Sequence, residues 1–320
     1  MPDADDETEL EPVMRGTALR RSKRTSGANF YRRDRLSFLL LMGPPFLIIF
    51  VLTVVPFFYS LYLSTWKMNF AMPANTRFVG LRNFVYMVTE DPYFWTIIRN
   101  TAVQVFGTVS LQVVVGVLLA LLFSRAVRGM NIARGLIMLP MMTTPVVVGV
   151  IWRFMVNPDF GIINYLLSVV GIHGPDWLGR PGLAMATIIA ADVWLSTPFV
   201  TVILVAGISS LPVEPFEAAT VDGASSWRTF VHITMPLLSP VIWVAVMFRL
   251  IDALKRFDSI VIMTAGGPGN ATETLNLFAY SNAFTMMDAG YGSSLAVLLF
   301  LLIGLVSIFT IRRVQRSGNA

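Results

Sequence analysis

The sequence predicts an all-α membrane protein with about six transmembrane helices. Three observations carry that reading. Hydrophobic residues make up 55% of the 320-residue chain. Charged residues make up only 13%, about half the share found in soluble globular domains. Apolar runs near the ~20 residues a helix needs to cross a bilayer recur six times. A lone span in lipid must satisfy its backbone internally, so each run reads as a helix and not as a strand.

The spans fall near 37–64, 95–123, 132–155, 184–207, 237–263 and 290–311. Together they define a transmembrane domain over 37–312, followed by a short C-terminal tail over 313–320. Pro44, Pro45, Pro56, Pro145, Pro198 and Pro240 lie inside the spans. Each removes a backbone donor, so kinks or loosened turns are expected there. Residues 1–36 are acidic first (Asp3, Asp5, Asp6, Glu7, Glu9, Glu11) and basic afterwards. Such a stretch buries too little apolar area to fold alone and reads as a disordered tail. A short membrane-surface helix over Phe30, Tyr31, Arg32, Arg33 and Arg35 is the other reading. The first apolar run is too long, and too far from the N-terminus, for a cleaved signal peptide.

Charge placement sets the expected orientation. Eight of the 24 basic residues lie between Arg15 and Arg35. Arg125, Arg128, Arg134, Arg228, Arg312, Arg313 and Arg316 fall on the same side of the six-span scheme. By the positive-inside rule both termini are cytoplasmic, and the polar passage 212–236 faces the cytoplasm too. The basic excess thus follows the membrane and not nucleic acid. There is no Cys, so no disulfide and no thiolate metal site. His173 and His232 lack metal-ligand spacing.

On the other side, 65–94 carries Trp66, Phe70, Tyr86 and Tyr93, aromatics suited to the interface. Residues 160–172 suggest a short surface helix. "TAGGPGN" (264–270) is Gly-rich but lacks the Lys and following hydroxyl of a phosphate loop, and reads as a tight turn. The chain has no nucleotide-binding motif, no cofactor motif and no defensible catalytic constellation, so it is not expected to be an enzyme.

The polar passage "EAATVDGASSWRTFVHITMP" (217–236) is the first informative stretch. Pro212 and Pro215 stop one helix and start another, and Glu214 and Glu217 suit that helix's N-terminus. Phe216, Ala219, Thr220 and Gly223 share a face at helical spacing. Asp222-Gly223 reads as a turn, and Ser225 and Ser226 as N-caps of a second helix with Trp227, Phe230 and Val231 on its apolar side.

Glu217-Ala218-Ala219, Asp222-Gly223-Ala224, then Phe230, Ile233 and Pro236 resemble the EAA loop of ABC importer permeases, with Met235 in place of Leu. "WLSTPF" (194–199), "FRLIDALKRFDSIVIMTAGGPG" (248–269) and "FVGLRNF" (78–84) resemble its carbohydrate-uptake branch, in particular the first of the paired permeases of maltose-type importers. The resemblance covers about 280 residues. It implies the type I importer fold, with Glu217, Ala218, Ala219, Asp222, Gly223 and Ala224 forming a coupling helix that docks on an ATPase.

The second informative stretch closes span five. Arg249, Asp252, Lys255, Arg256 and Asp258 fall within a half-turn arc, and such ions are costly in lipid. Arg249–Asp252, Asp252–Arg256 and Lys255–Asp258 are three or four apart and can neutralise one another. The stripe reads either as a structural ion-pair ladder or as substrate contact. The resemblance, with the maltose-type permeases, places Lys255, Arg256, Asp258, Asn276, Tyr280 and Asn282 on a sugar pathway. Asp192 and Trp194 in span four, and Asp252, join them as candidates, and Pro198 is expected to unwind that span locally.

The resemblance then implies the permease subunit of an ATP-driven sugar importer in a bacterial or archaeal cytoplasmic membrane. Its partners would be a second permease, two ATP-binding subunits and an extracytoplasmic sugar-binding protein. The cargo would be a di- or oligosaccharide, or a polyol or glycerol phosphate. The charged stripe leaves an ion-coupled secondary transporter as the alternative.

Overall fold

A computed structural model describes residues 41–124 and 129–318. The N-terminal tail, with the 30–35 segment, and Arg125 and Arg128 lie outside the described residues. The chain divides into two compact units at Pro56. Helix α1, Leu41–Ser64, carries no charged residue and contains a π-helical turn at Phe50–Val54.

After α1 comes a two-stranded antiparallel hairpin, β1 (Trp66–Lys67) on β2 (Arg77–Phe78). Helix α2 (Arg82–Thr89) leads into α3 (Phe94–Phe123). Then follow α4 (Met130–Met138), α5 (Pro145–Met155), the short α6 (Ile162–Val169) and α7 (Pro181–Ser209). Helix α8 (Glu214–Val221) precedes α9 (Ser226–Leu254), and α10 (Asp258–Thr264), α11 (Leu275–Tyr280) and α12 (Ala289–Gly318) complete the chain.

Among the described residues α1, α3, α7, α9 and α12 are each long and apolar enough to cross a membrane. A sixth crossing exists if Ile132–Met142 and Pro145–Met155 count as one span, bent by 99°. The bend has a local cause. Thr143 and Thr144 are extended, and Pro145 starts the new helix at its first turn. Pro drives the preceding residue out of the helical region, so the helix cannot run through Thr144.

Two other prolines behave differently. Pro198 sits inside α7, yet that helix is continuous from Pro181 to Ser209, so the expected local unwinding does not occur. Thr197 and Thr201 return their hydroxyls to carbonyls one turn back, at 2.6 and 2.9 Å. Pro240 likewise lies within an unbroken α9.

The core is where α3, α7, α9 and α12 pack together. Val117, Ala120, Val200, Leu204, Leu238 and Ala245 join α3, α7 and α9, and Val105, Val109, Ala253, Leu295 and Leu299 join α3, α9 and α12. Lipid tails are as apolar as these side chains, so close fit and not water exclusion holds such helices together. Two glycines permit that fit. A Cβ on Gly116 would lie 2.7 Å from Val200 Cγ1, and one on Gly207 would lie 2.8 Å from Val241 Cγ1.

Span five departs from its expected length. A single helix over 237–263 was expected, but α9 stops at Leu254 and Phe257 breaks the path before α10 begins at Asp258. No Pro or Gly lies at the break. Its cause is tertiary and belongs to the site below.

Candidate functional site

Two places carry chemistry. The first lies inside the helix bundle, where α3, α7 and α9 meet. Asp192 on α7 is 2% exposed and Arg249 on α9 is 3% exposed. Arg249 Nε donates to Gln112 Oε1 at 2.8 Å, and Gln112 Nε2 donates to the Asp192 carbonyl at 3.0 Å. Arg249 Nη1 reaches Asp252 Oδ2 at 3.0 Å, and its Nη2 lies 3.8 Å from Asp192 Oδ1. Arg256 Nη2 reaches the same carboxylate oxygen at 2.9 Å, and Ser196 Oγ donates to it at 3.3 Å.

Three helices are therefore clamped by two arginines on one buried carboxylate. Buried charges persist only when paired and hydrogen-bonded; Asp192 Oδ1 is paired with both arginines, while Asp192 Oδ2, Arg249 Nη2 and Arg256 Nε have no hydrogen-bond partner among the described residues. The pairing also explains the end of α9. A helix continued through Arg256 would carry that side chain along the α9 axis. In the structure the chain turns after Leu254, and Arg256 reaches across to α7. Of the expected ladder, only Arg249–Asp252 forms. Arg256 pairs with Asp192 instead of Asp252, and Lys255 and Asp258 form no ion pair with each other.

The remaining candidates surround this clamp. Lys255 and Asp258 are exposed, and Asp252 is half-exposed. Asn276 Nδ2 donates to the Lys255 carbonyl at 2.8 Å, which ties the 275–280 helix to the break. Tyr280 is 44% exposed, and its ring lies 4.7 Å from that of Phe257. Trp194 is equally exposed, with Trp152 beside it at 6.5 Å. These residues form a polar and aromatic surface around a buried ionic centre. Asn282 stands apart: it is buried, donates to the Phe278 carbonyl at 2.8 Å and lines a different cavity.

Sequence reasoning missed Gln112, Ser196 and Phe257. A signal existed for Gln112, because an amide in an apolar span needs an internal partner. Gln104, Thr108 and Gln112 repeat every fourth residue on the buried face of α3.

The second place is the passage between α7 and α9. Helix α8 ends in a Schellman motif. Gly223 N–H donates to the Thr220 carbonyl at 3.2 Å and Ala224 N–H to the Ala219 carbonyl at 2.9 Å. Gly223 has φ +67°, the left-handed conformation this cap requires and that Gly adopts without strain. Ser225 Oγ then accepts from Arg228 N–H at 3.4 Å and caps α9. The spacing of Ala219, Asp222, Gly223 and Ala224 is thus the spacing of one capped turn. Glu217, Ala218, Asp222 and Gly223 are exposed, whereas Ala219 packs inward. Two apolar side chains face solvent here that periodicity did not mark as a pair, Val221 at 86% and Trp227 at 71% exposed.

Residues 112–317, which hold both places, match the family described as binding-protein-dependent transport system inner membrane component. The chain belongs to this family. The permease is 35% identical over 273 residues to the trehalose/maltose transport system permease protein MalF of Thermococcus litoralis, covering 85% of this chain and 91% of that one. It is 32% identical over 296 residues to the trehalose transport system permease protein SugA of Mycobacterium tuberculosis, covering 91% and 94%. Among solved structures, the bacterial alginate ABC transporter in complex with alginate pentasaccharide-bound periplasmic protein contains a chain of the same fold. The TM-score is 0.76 at 20% identity, over 90% of this permease and 96% of that chain. The fold is that of an ABC type I importer permease. Membership of this family removes the ion-coupled secondary transporter left open by the charged stripe.

Proposed function

We propose that this permease imports a sugar, a di- or oligosaccharide or a related polyol or glycerol phosphate, delivered by an extracytoplasmic binding protein. The relatives named for trehalose and maltose transport support the sugar class. The permease pairs with a second, similar permease, and two ATP-binding subunits power the cycle. It lies in the cytoplasmic membrane with both termini inside and its transmembrane domain over 37–312.

The observation that carries the coupling role is the capped α8 turn held between two long apolar helices. Glu217, Ala218, Asp222, Gly223 and Ala224 form the docking surface, with Ala219 setting the depth of the helix against its own base. Val221 and Trp227 supply apolar contact. ATP-driven closing of the two ATP-binding subunits moves this element, and α7 and α9 carry the movement into the bundle because they begin and end at it.

The substrate pathway runs past Trp194, Asp252, Lys255, Asp258, Asn276 and Tyr280, where charged and amide groups meet aromatic faces. Sugar hydroxyls need directional donors and acceptors together with an apolar platform. Asp192 and Arg256 brace that surface from beneath, and Asn282 supports the following turn.

The test is purification of the tagged permease in mild detergent, with Gly223→Val as the matched control. An ATP-binding subunit that accompanies the wild type and is lost with the variant is the expected result. Sugar uptake by reconstituted vesicles that requires internal ATP completes it. Absence of such a subunit from both preparations, or uptake driven by an ion gradient alone, refutes the proposal.

A further inference from the structure

A cavity of about 640 Å³ lies at the hairpin end of the bundle, and its walls belong to the ends of helices that cross the membrane. Lys67 follows the last residue of α1 by three positions. Glu90 precedes the first residue of α3 by four. Asp288 immediately precedes α12. A cavity built from residues at that register sits at the level of the lipid headgroups. It opens on the membrane face opposite α8, since α9 crosses from α8 to that side.

The geometry is fixed by the backbone. Asn69 and Asp288 form a bridge, Gly290 N–H donates to the Met68 carbonyl at 3.1 Å, and Asn83 Nδ2 donates to the Trp66 carbonyl at 3.0 Å. These bonds tie hairpin, α2 and α12 into one wall. The hairpin register then sets Lys67 directly opposite Arg77. Like charges at facing positions of an antiparallel pair repel. Neither residue forms an ion pair among the described residues, and Arg82 lines the same cavity, likewise without one. Three cations share this space with the carboxylates of Glu90, Asp91 and Asp288, and none of the three forms an ion pair with them among the described residues. The acids in that space are already committed in part: Asp91 accepts from Tyr291 and from Tyr93 N–H, and Asp288 accepts from Tyr291 N–H. Glu90 is exposed, and its side chain has no partner among the described residues. Tyr93 lines the cavity and is exposed; Phe78 and Trp95 are exposed on the neighbouring hairpin and α3, and Trp66 packs on Phe78 at 5.7 Å. Aromatic rings of this kind anchor at the membrane interface.

We propose that this cavity binds the headgroup of a phospholipid, with its phosphate on Lys67, Arg77 and Arg82 and its amine on Glu90. The facing cations, unpaired among the described residues, suit an oxyanion, the register places them where lipid phosphates lie, and the cavity carries both signs of charge, as an aminophospholipid headgroup does. The volume falls in the range of small-molecule sites. The bound lipid relieves the repulsion across the hairpin and so braces the hairpin against the start of α12.

The test uses the assembled transporter in nanodiscs or mild detergent, with native mass spectrometry to count retained lipids. Lys67→Ala/Arg77→Ala is the test variant. Arg180→Gln is the control, an exposed cation at the start of α7 that lies outside the cavity. The probes are phosphatidylethanolamine, phosphatidylglycerol and inorganic phosphate. Each surface cation contributes roughly fivefold to binding an anionic lipid, so the double variant is expected to lose roughly 25-fold in affinity. The control is expected to match wild type, and Glu90→Gln to lose the preference for phosphatidylethanolamine over phosphatidylglycerol. Melting of the double variant without lipid at the wild-type temperature or above shows that its loss is not misfolding. Equal lipid retention by wild type and double variant overturns the proposal. So does an equal loss in Arg180→Gln, or stabilisation by inorganic phosphate alone that matches the lipid. Equal binding of the two lipids by wild type overturns the amine contact.

Discussion

Replacing Asp192 by Asn keeps shape and a hydrogen-bond acceptor but deletes the one buried negative charge on which two arginines converge. Arg249 and Arg256 have side chains only 4% and 11% exposed, so neither is solvated in exchange. Asp252 remains to Arg249 at 3.0 Å, but it is half-exposed and does not touch Arg256. Breaking a buried pair by removing one partner costs about 3–5 kcal/mol, because the charge left behind is uncompensated. The insertion cost of one charged residue at mid-membrane, about 2.5–3.5 kcal/mol, agrees in size. That loss corresponds to a drop in Tm of roughly 5–15 °C for the purified complex. The double variant Asp192→Asn/Arg256→Gln removes both partners and leaves Arg249–Asp252 intact, so it should recover at least half of the loss. Thermal unfolding of wild type, both single variants and the double variant completes the cycle. A single Asp192→Asn variant within ~1 kcal/mol of wild type refutes the clamp. Strict additivity of the two substitutions refutes the Asp192–Arg256 contact.

Gly223→Val forces a β-branched residue into the left-handed conformation of the α8 cap, at a cost of about 1–2 kcal/mol. The space around Gly223 is open, so the damage is conformational and local. Co-purification of the ATP-binding subunit should fall while the Tm of the membrane bundle holds, and unchanged co-purification would count against the docking role. Gly116→Leu drives a side chain into Val200 and should destabilise the bundle by about 1–3 kcal/mol through overpacking, read as a fall in Tm. Burial holds the Glu273 carboxyl above the usual carboxylate range. The folded state therefore keeps its proton to higher pH than the unfolded chain. This contribution is fully present below the ordinary carboxylate value and is lost as pH rises through the folded value. Tm measured against pH should show that decline in wild type and lose it in Glu273→Gln.

Much of the permease was legible from local rules. Gly223 had to sit where a left-handed turn was needed, because the other positions of that turn supply only the bonds that the cap closes. Pro145 had to mark a discontinuity in span three, because the residue before it cannot stay helical. The ions near the end of span five had to meet partners, because lipid offers none. Which partners they meet was not legible. Arg256 is four residues from Asp252 and 64 from Asp192 in sequence, and i,i+4 spacing favours the nearer acid. The fold prefers the distant one because α7 and α9 pack closely and α9 ends before Arg256. Pro198 shows the converse. A proline rule predicts unwinding, but the flanking threonines and tight packing keep α7 whole.

The sequence by itself determined that this protein lies in a membrane, that its spans are helices, and that a capped helical turn joins two of them. Each follows from composition, from the backbone's need for internal hydrogen bonds in lipid, or from residues one turn apart. Only the tertiary structure decided which buried charges pair, where span five ends, and how the hairpin and the start of α2 bring Lys67, Arg77 and Arg82 to one cavity. Those outcomes depend on side chains from helices far apart in the chain. Their distances are set by how closely glycine and small residues let the helices approach, and no local spacing encodes that.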